Sequence, residues 1–147
     1  MRRRLGRRFR RDVTGSSALE FALIAGPLIL LMFGTIEFSR LLWLRLALEE
    51  TATAAARCMG IPQPECASGG TYNAAATKNY IVAAAGGWGL AVIPEAIQLN
   101  HDATCSGLSG FSSVEISYQF SSAIPGLMEM LGIAPTLSSK ACFPNQF

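Results

Sequence analysis

Of the 147 residues only His101 is a histidine, and only Lys78 and Lys140 are lysines. A lone histidine lacks the second imidazole or paired carboxylate that most catalytic and metal sites use, so it reads as a surface or satisfied polar residue. No two of the four cysteines have the Cys-x-x-Cys spacing of a zinc or thioredoxin-type site. Gly107-Leu108-Ser109-Gly110 begins like a nucleophile elbow, but Phe111 stands where Gly-x-Ser-x-Gly needs its last glycine. No glycine-rich loop ends in a lysine that could cradle a phosphate. An enzyme is not expected, nor a metal, nor a cofactor.

Basic charge is also scarce, except at one end. Arg2, Arg3, Arg4, Arg7, Arg8, Arg10 and Arg11 hold seven of the twelve basic residues ahead of Val13. From Ser16 onward five basic residues stand against nine acidic ones. The basic charge therefore belongs to a leader, and a nucleic-acid partner is not expected of the rest. The leader gives way to an uncharged, almost wholly apolar run, residues 21–36 (FALIAGPLILLMFGTI). As a helix this run rises about 24 Å, and its apolar flanks extend it to the ~30 Å of a hydrocarbon core. Basic residues directly before such a segment keep the N-terminus in the cytoplasm. The expectation is a single-pass protein of a bacterial inner membrane, in contact with lipid, with its C-terminal part in the periplasm. Arg7-Arg8-x-Arg10 faintly resembles a twin-arginine export signal, but no Ala-x-Ala-like cleavage site comes after it at a suitable distance.

Three segments are expected: a basic leader over residues 1–15, a transmembrane and stem helix over 16–58, and a small α+β domain outside the cytoplasm over 59–147. The helical pattern runs from residue 17 to 58 with an interruption at Gly26-Pro27, and its 42 residues would be roughly 63 Å long, about twice a bilayer. The distal half must protrude, and Trp43 suits a membrane interface. Residues 60–70 read as a turn-rich loop, and 72–85 as an Ala-rich helix capped by Thr71 and stopped by Gly86-Gly87. The period then changes to two. Residues 96–100 and 114–120 read as half-buried strands, 105–113 as a loop, 125–131 as a short helical turn and 136–143 as a third strand. The fold class is α+β: a long N-terminal membrane helix, a second helix and a small antiparallel sheet of about three strands. Cys58, Cys66, Cys105 and Cys142 all lie beyond the membrane segment, where an oxidising compartment would pair them. Short closures favour Cys58–Cys66 with Cys105–Cys142; the two crossed pairings stay open.

The functional signal lies in Gly15-Ser16-Ser17-Ala18-Leu19-Glu20-Phe21. A glutamate at the edge of an apolar segment needs a partner, because a charge inside a bilayer costs several kcal/mol. Cleavage after Gly15 would create an ammonium at Ser16, a natural partner for Glu20 in the same or a neighbouring subunit. A local alternative is a capping box, with Ser17 capping the helix and Glu20 bonding back. The arrangement resembles the signal of type IV pilins, cut by a prepilin peptidase after a glycine with glutamate at the fifth position beyond. More closely, the chain resembles TadE-like minor pilins of Tad (type IVc) pilus systems: an Arg-rich leader, Gly15 to Leu23 ending in Glu20-Phe21-Ala22-Leu23, then Pro27, then Glu37-Phe38-Ser39-Arg40, and an Ala-rich continuation with Arg57. The resemblance covers roughly residues 7–58. It implies a pilin precursor processed between Gly15 and Ser16, with prepilin peptidase, other pilins and the Tad inner-membrane machinery as partners. Ser16 departs from the Phe or Met that begins the major type IVa pilins, so N-methylation is not carried over. The competing class is a periplasmic binding or scaffold protein that keeps its leader as a permanent anchor.

Overall fold

The computed structural model describes residues 16–122, 126, 129 and 132–146. The chain divides into two compact units, Met1–Phe38 and Ser39–Phe147. One helix, α1 (Ser16–Gly60), contributes to both. In the first unit its side chains from Ser17 to Ile36 are exposed or half-buried all round the helix, although most are apolar. In the second unit the same helix turns one-sided. Ala47, Leu48, Thr51, Ala52, Ala55, Ala56 and Met59 are buried, recurring at the three- and four-residue intervals that keep side chains on one helical face. Most of these are alanines, so neighbouring elements can approach the helix backbone closely. Thr51 is the polar exception, and its Oγ1 donates to the carbonyl of Ala47 at 2.7 Å.

Pro62 cannot continue the helix, and α1 ends at Gly60 with Ile61 N–H still donating to Arg57. The expected loop over 60–70 is corrected here, because it contains a small hairpin: β1 (Ala67–Ser68) pairs antiparallel with β2 (Thr71–Tyr72). Gly69 and Gly70, with φ of 63° and 81°, supply the two left-handed positions that a tight two-residue turn needs. Thr71 is therefore a strand residue, its Oγ1 donating to Ser68. The second helix, α2 (Ala74–Gly87), is capped instead by Asn73, whose side chain accepts from Ala76 N–H at 2.9 Å. It also runs through Gly86-Gly87 rather than stopping before them, closing when Trp88 and Leu90 N–H donate to Ala85. Thr77, Ile81 and Ala85 form its buried face.

After a 3₁₀ turn (Pro94–Ala96) come three strands, β3 (Ile97–Cys105), β4 (Leu108–Gln119) and β5 (Thr136–Pro144), antiparallel in that spatial order. The first two are longer than the sequence pattern suggests. The segment 105–113, expected as a loop, is mostly strand, and the connection shrinks to Ser106-Gly107. Both residues have positive φ, 52° and 84°, the geometry whose twist matches a hairpin. Irregular register between Asn100 and Cys105, together with Gly110 at φ 84°, masks the alternation there. Val114 pairs with Leu99 on one side and Ala141 on the other, and Ile116 with Ile97 and Ser139. These residues close the core with Leu48, Met59, Ile81 and Leu90. The expected helical turn over 125–131 falls largely outside the described residues; Gly126 and Glu129 are helical.

Two covalent ties hold this thin core: Cys58–Cys66 fastens the end of α1 to the strand-bearing loop, and Cys105–Cys142 fastens β3 to β5. The closed loops, with sequence separations of 8 and 37, correspond by chain entropy to roughly 2.5 and 4 kcal/mol. Gly60 provides a noncovalent joint beside them. A Cβ there would lie 2.7 Å from Phe143 Cδ1 and 3.0 Å from the Pro144 carbonyl.

Two outcomes are expected of the full chain in detergent. Non-reducing peptide mapping should recover Cys58–Cys66 and Cys105–Cys142 peptides, and replacing Cys105 and Cys142 together by alanine should cost about 4 kcal/mol in denaturant unfolding, more than the other pair. Gly60→Ala should destabilise by about 1–3 kcal/mol, because backbone as well as a ring must move; Gly86→Ala, with open space around its Cβ, should not.

Candidate functional site

The residues singled out by the motif lie along α1. Gly15 lies outside the described residues; Ser16 is the first residue of the described helix. Ser17 is already helical, which overturns the capping-box reading: an N-cap residue has extended, not helical, backbone. Glu20 and Phe21 are both exposed, Phe21 to 73%. Ser16 and Glu20 stand at i and i+4, which places the two positions on the same helical face.

Further along, Pro27 sits inside the helix. Proline crowds the Cβ of the residue before it, and Gly26 has none. The cost that remains is the carbonyl of Leu23, which loses its usual N–H donor. Thr35, the one other polar group in the apolar run, donates its hydroxyl to the Met32 carbonyl at 2.8 Å. Large apolar side chains surround this stretch without cover: Leu23, Ile24, Leu30 and Leu31 are each at least 66% exposed. It is the one helix among the described residues long and apolar enough to cross a membrane.

Glu37, Phe38 and Arg40 come next. Glu37 is buried while Phe38 is 58% exposed. Among the described residues no buried side-chain nitrogen or oxygen lacks a hydrogen-bond partner, as the burial of polar groups requires. Arg40 holds its guanidinium carbon 5.5 Å above the centre of the Phe120 ring, a cation–π contact within the second unit. The motif thus does not converge on a pocket. Its members are distributed along a helix, an arrangement suited to packing.

His101 occupies a structural network. Asn145 Nδ2 donates to the His101 carbonyl at 2.8 Å, which leaves Asn145 Oδ1 to accept from Ser112 Oγ at 2.7 Å. The Ser112 hydroxyl proton being used, His101 Nδ1 must donate to Ser112 Oγ across their 2.9 Å contact. The imidazole also stacks on Tyr72, ring centres 4.5 Å apart, and burial raises the Tyr72 phenol above its ordinary pKa, keeping it neutral. Sequence reasoning missed this network because its members are 33 and 44 positions apart. It missed Trp88 too. That ring meets Trp43 edge-on at 5.6 Å, and no local pattern signals the pairing.

No curated protein and no solved structure matches the chain. A family model does: the one described as TadE-like protein matches residues 15–57, from the expected processing glycine to the residue before Cys58. It takes in α1 almost to its end and none of the sheet. Through that segment, less than a third of its length, the chain is similar to the TadE-like protein family.

Proposed function

We propose that this chain is the precursor of a minor pilin or pseudopilin that contributes to assembly or initiation of a Tad-type pilus. In this reading prepilin peptidase removes residues 1–15, releasing a mature chain that begins at Ser16. The membrane and stem helix, residues 16–58, then packs with the stems of other pilins, and residues 59–147 form the domain presented outside the cytoplasm. The observation that carries the reading is the continuous helix α1. It leaves its apolar surface uncovered on all sides over residues 17–36 and bears a carboxylate at Glu20, five positions after Gly15. Such a surface needs lipid or other apolar helices, and a cation beside the Glu20 carboxylate would lower the cost of placing it at the membrane. The new α-ammonium at Ser16, its own or a neighbour's, would supply one. Pairing between subunits would also fix the axial register of the stems, because a one-turn slip of about 5.4 Å would separate the charges. The seven leader arginines agree with a cytoplasmic N-terminus and a periplasmic outer domain.

Processing separates this from a permanently anchored scaffold. With the cognate prepilin peptidase co-expressed, mass spectrometry of the membrane fraction should find a mature N-terminus at Ser16, and Gly15→Val should leave the chain uncut. A protein still beginning at Met1 beside active peptidase would reject the pilin reading.

Glu20→Gln keeps a side chain of similar size and hydrogen-bonding capacity while removing the charge. The variant should be cut normally yet support few or no pili in electron micrographs. Normal piliation would exclude a charge-pairing role for Glu20.

A further inference from the structure

At one end of the second unit several elements gather around the same stretch of α1. Trp43 meets Trp88 from the end of α2. Arg40 covers Phe120 just beyond β4, and Ser39, Arg40, Trp43, Leu44, Gly89 and Tyr118 line one shallow hollow. This end is unusually apolar for a surface. Leu42 is 44% exposed, Trp43 55%, Leu46 64% and Trp88 43%, while the same domain buries Leu48, Ile81 and Leu90 almost completely. Clustered exposed apolar groups of this kind mark a contact surface.

The position along α1 identifies what it contacts. Trp43 comes seven residues after Ile36, the last apolar residue of the uncharged run, about 10 Å of helix. Helical side chains lean toward the N-terminus, so the indole lies nearer the run than its own Cα. The polar layer on each side of a bilayer is roughly 5–8 Å deep. An indole ring with an N–H and an arginine with a long aliphatic stem are the side chains that suit this layer, one end apolar and the other wet. A packed protein–protein core would instead exclude the charges of Arg40 and of Glu50, which lines the groove beside Trp43 and Trp88.

We propose that Trp43 and Trp88, together with Arg40, Leu42 and Leu46, form a footing on which the outer domain rests against the lipid headgroup layer. The proposal rests on the reading that α1 spans a bilayer, and it adds that α2, through Trp88, touches the membrane as well. The domain would then meet the headgroup layer at two points, Trp43 and Trp88, on two separate elements.

The chain has two tryptophans in all, so each can be read alone. Trp43→Phe and Trp88→Phe are made in the full chain and reconstituted into phosphatidylcholine–phosphatidylglycerol vesicles carrying nitroxides at headgroup or mid-chain depth. In the Trp43→Phe protein the remaining Trp88 should be quenched more by the headgroup nitroxide than by the mid-chain one, and should be shielded from aqueous iodide relative to detergent solution. Strong iodide quenching with no effect of either lipid nitroxide would overturn the proposal. Shielding from iodide without lipid quenching, relieved by diluting protein in lipid, would replace the membrane with a second protein copy and equally overturn it. Alkaline carbonate extraction separates the two levels. A chain that stays with the vesicles while Trp88 faces water leaves the membrane span intact and removes the footing; a chain that is extracted removes both.

Discussion

The alanine stripe of α1 is the constraint from which the second unit is built. A helix that carries Ala47, Ala52, Ala55 and Ala56 on one face contributes little buried area of its own, so its partners must come close and must be held there. Ile81 and Ala85 of α2 and Val114 and Ile116 of β4 pack in the same core, but a domain of this size rarely stabilises itself by burial alone. The disulfides at Cys58–Cys66 and Cys105–Cys142 are the physical answer to that thin core. One ties the stripe's end to the hairpin-bearing loop; the other locks the outer strand to the sheet. The polar network of His101, Ser112 and Asn145 adds a third fastening that is neither apolar nor covalent.

The same helix answers to two solvents, and this explains which parts of the fold were readable. Over residues 21–36 every position is apolar or small, so length and charge alone identify the segment. Farther along, the burial stripe keeps helical spacing and is visible as well. The strands at 114–119 and 136–143 alternate cleanly and could be placed. The features that escaped were set by backbone sign rather than by side-chain hydropathy. Ser106-Gly107 and Gly69-Gly70 make two-residue turns by adopting positive φ, and a serine- and glycine-rich stretch looks like a long loop until that geometry is known. The cap of α2 failed for a related reason. Thr71 and Asn73 are both capable caps, and only the pairing of β1 with β2 decides that Thr71 belongs to a strand.

The candidate site was legible in a different sense. Its residues succeed one another along a single helix, so spacing carries the information and tertiary structure adds exposure and burial. Ser17 is helical, so it does not serve as the N-cap of the helix. Phe38 and Glu37 are neighbours with opposite fates, one exposed and one buried. The aromatic end of the domain was only half visible. Trp43 comes soon after the apolar run and draws notice by position, whereas Trp88 arrives from a separate helix.

The chain closes on itself at the end of the stem. Gln146 N–H donates to the Gly60 carbonyl at 3.0 Å, and Phe143 and Pro144 crowd the same glycine. Entry to the part of the second unit beyond α1 and exit from it therefore lie side by side. Along the chain, the segment from 61 to 145 leaves the helix and returns to it beside Gly60. Length can be gained or lost within such a segment while its two ends stay in place, and anything attached beyond Gln146 would depart from beside the stem's end. Because the core also takes in the α1 stripe, such a module would have to be exchanged together with that stretch of helix.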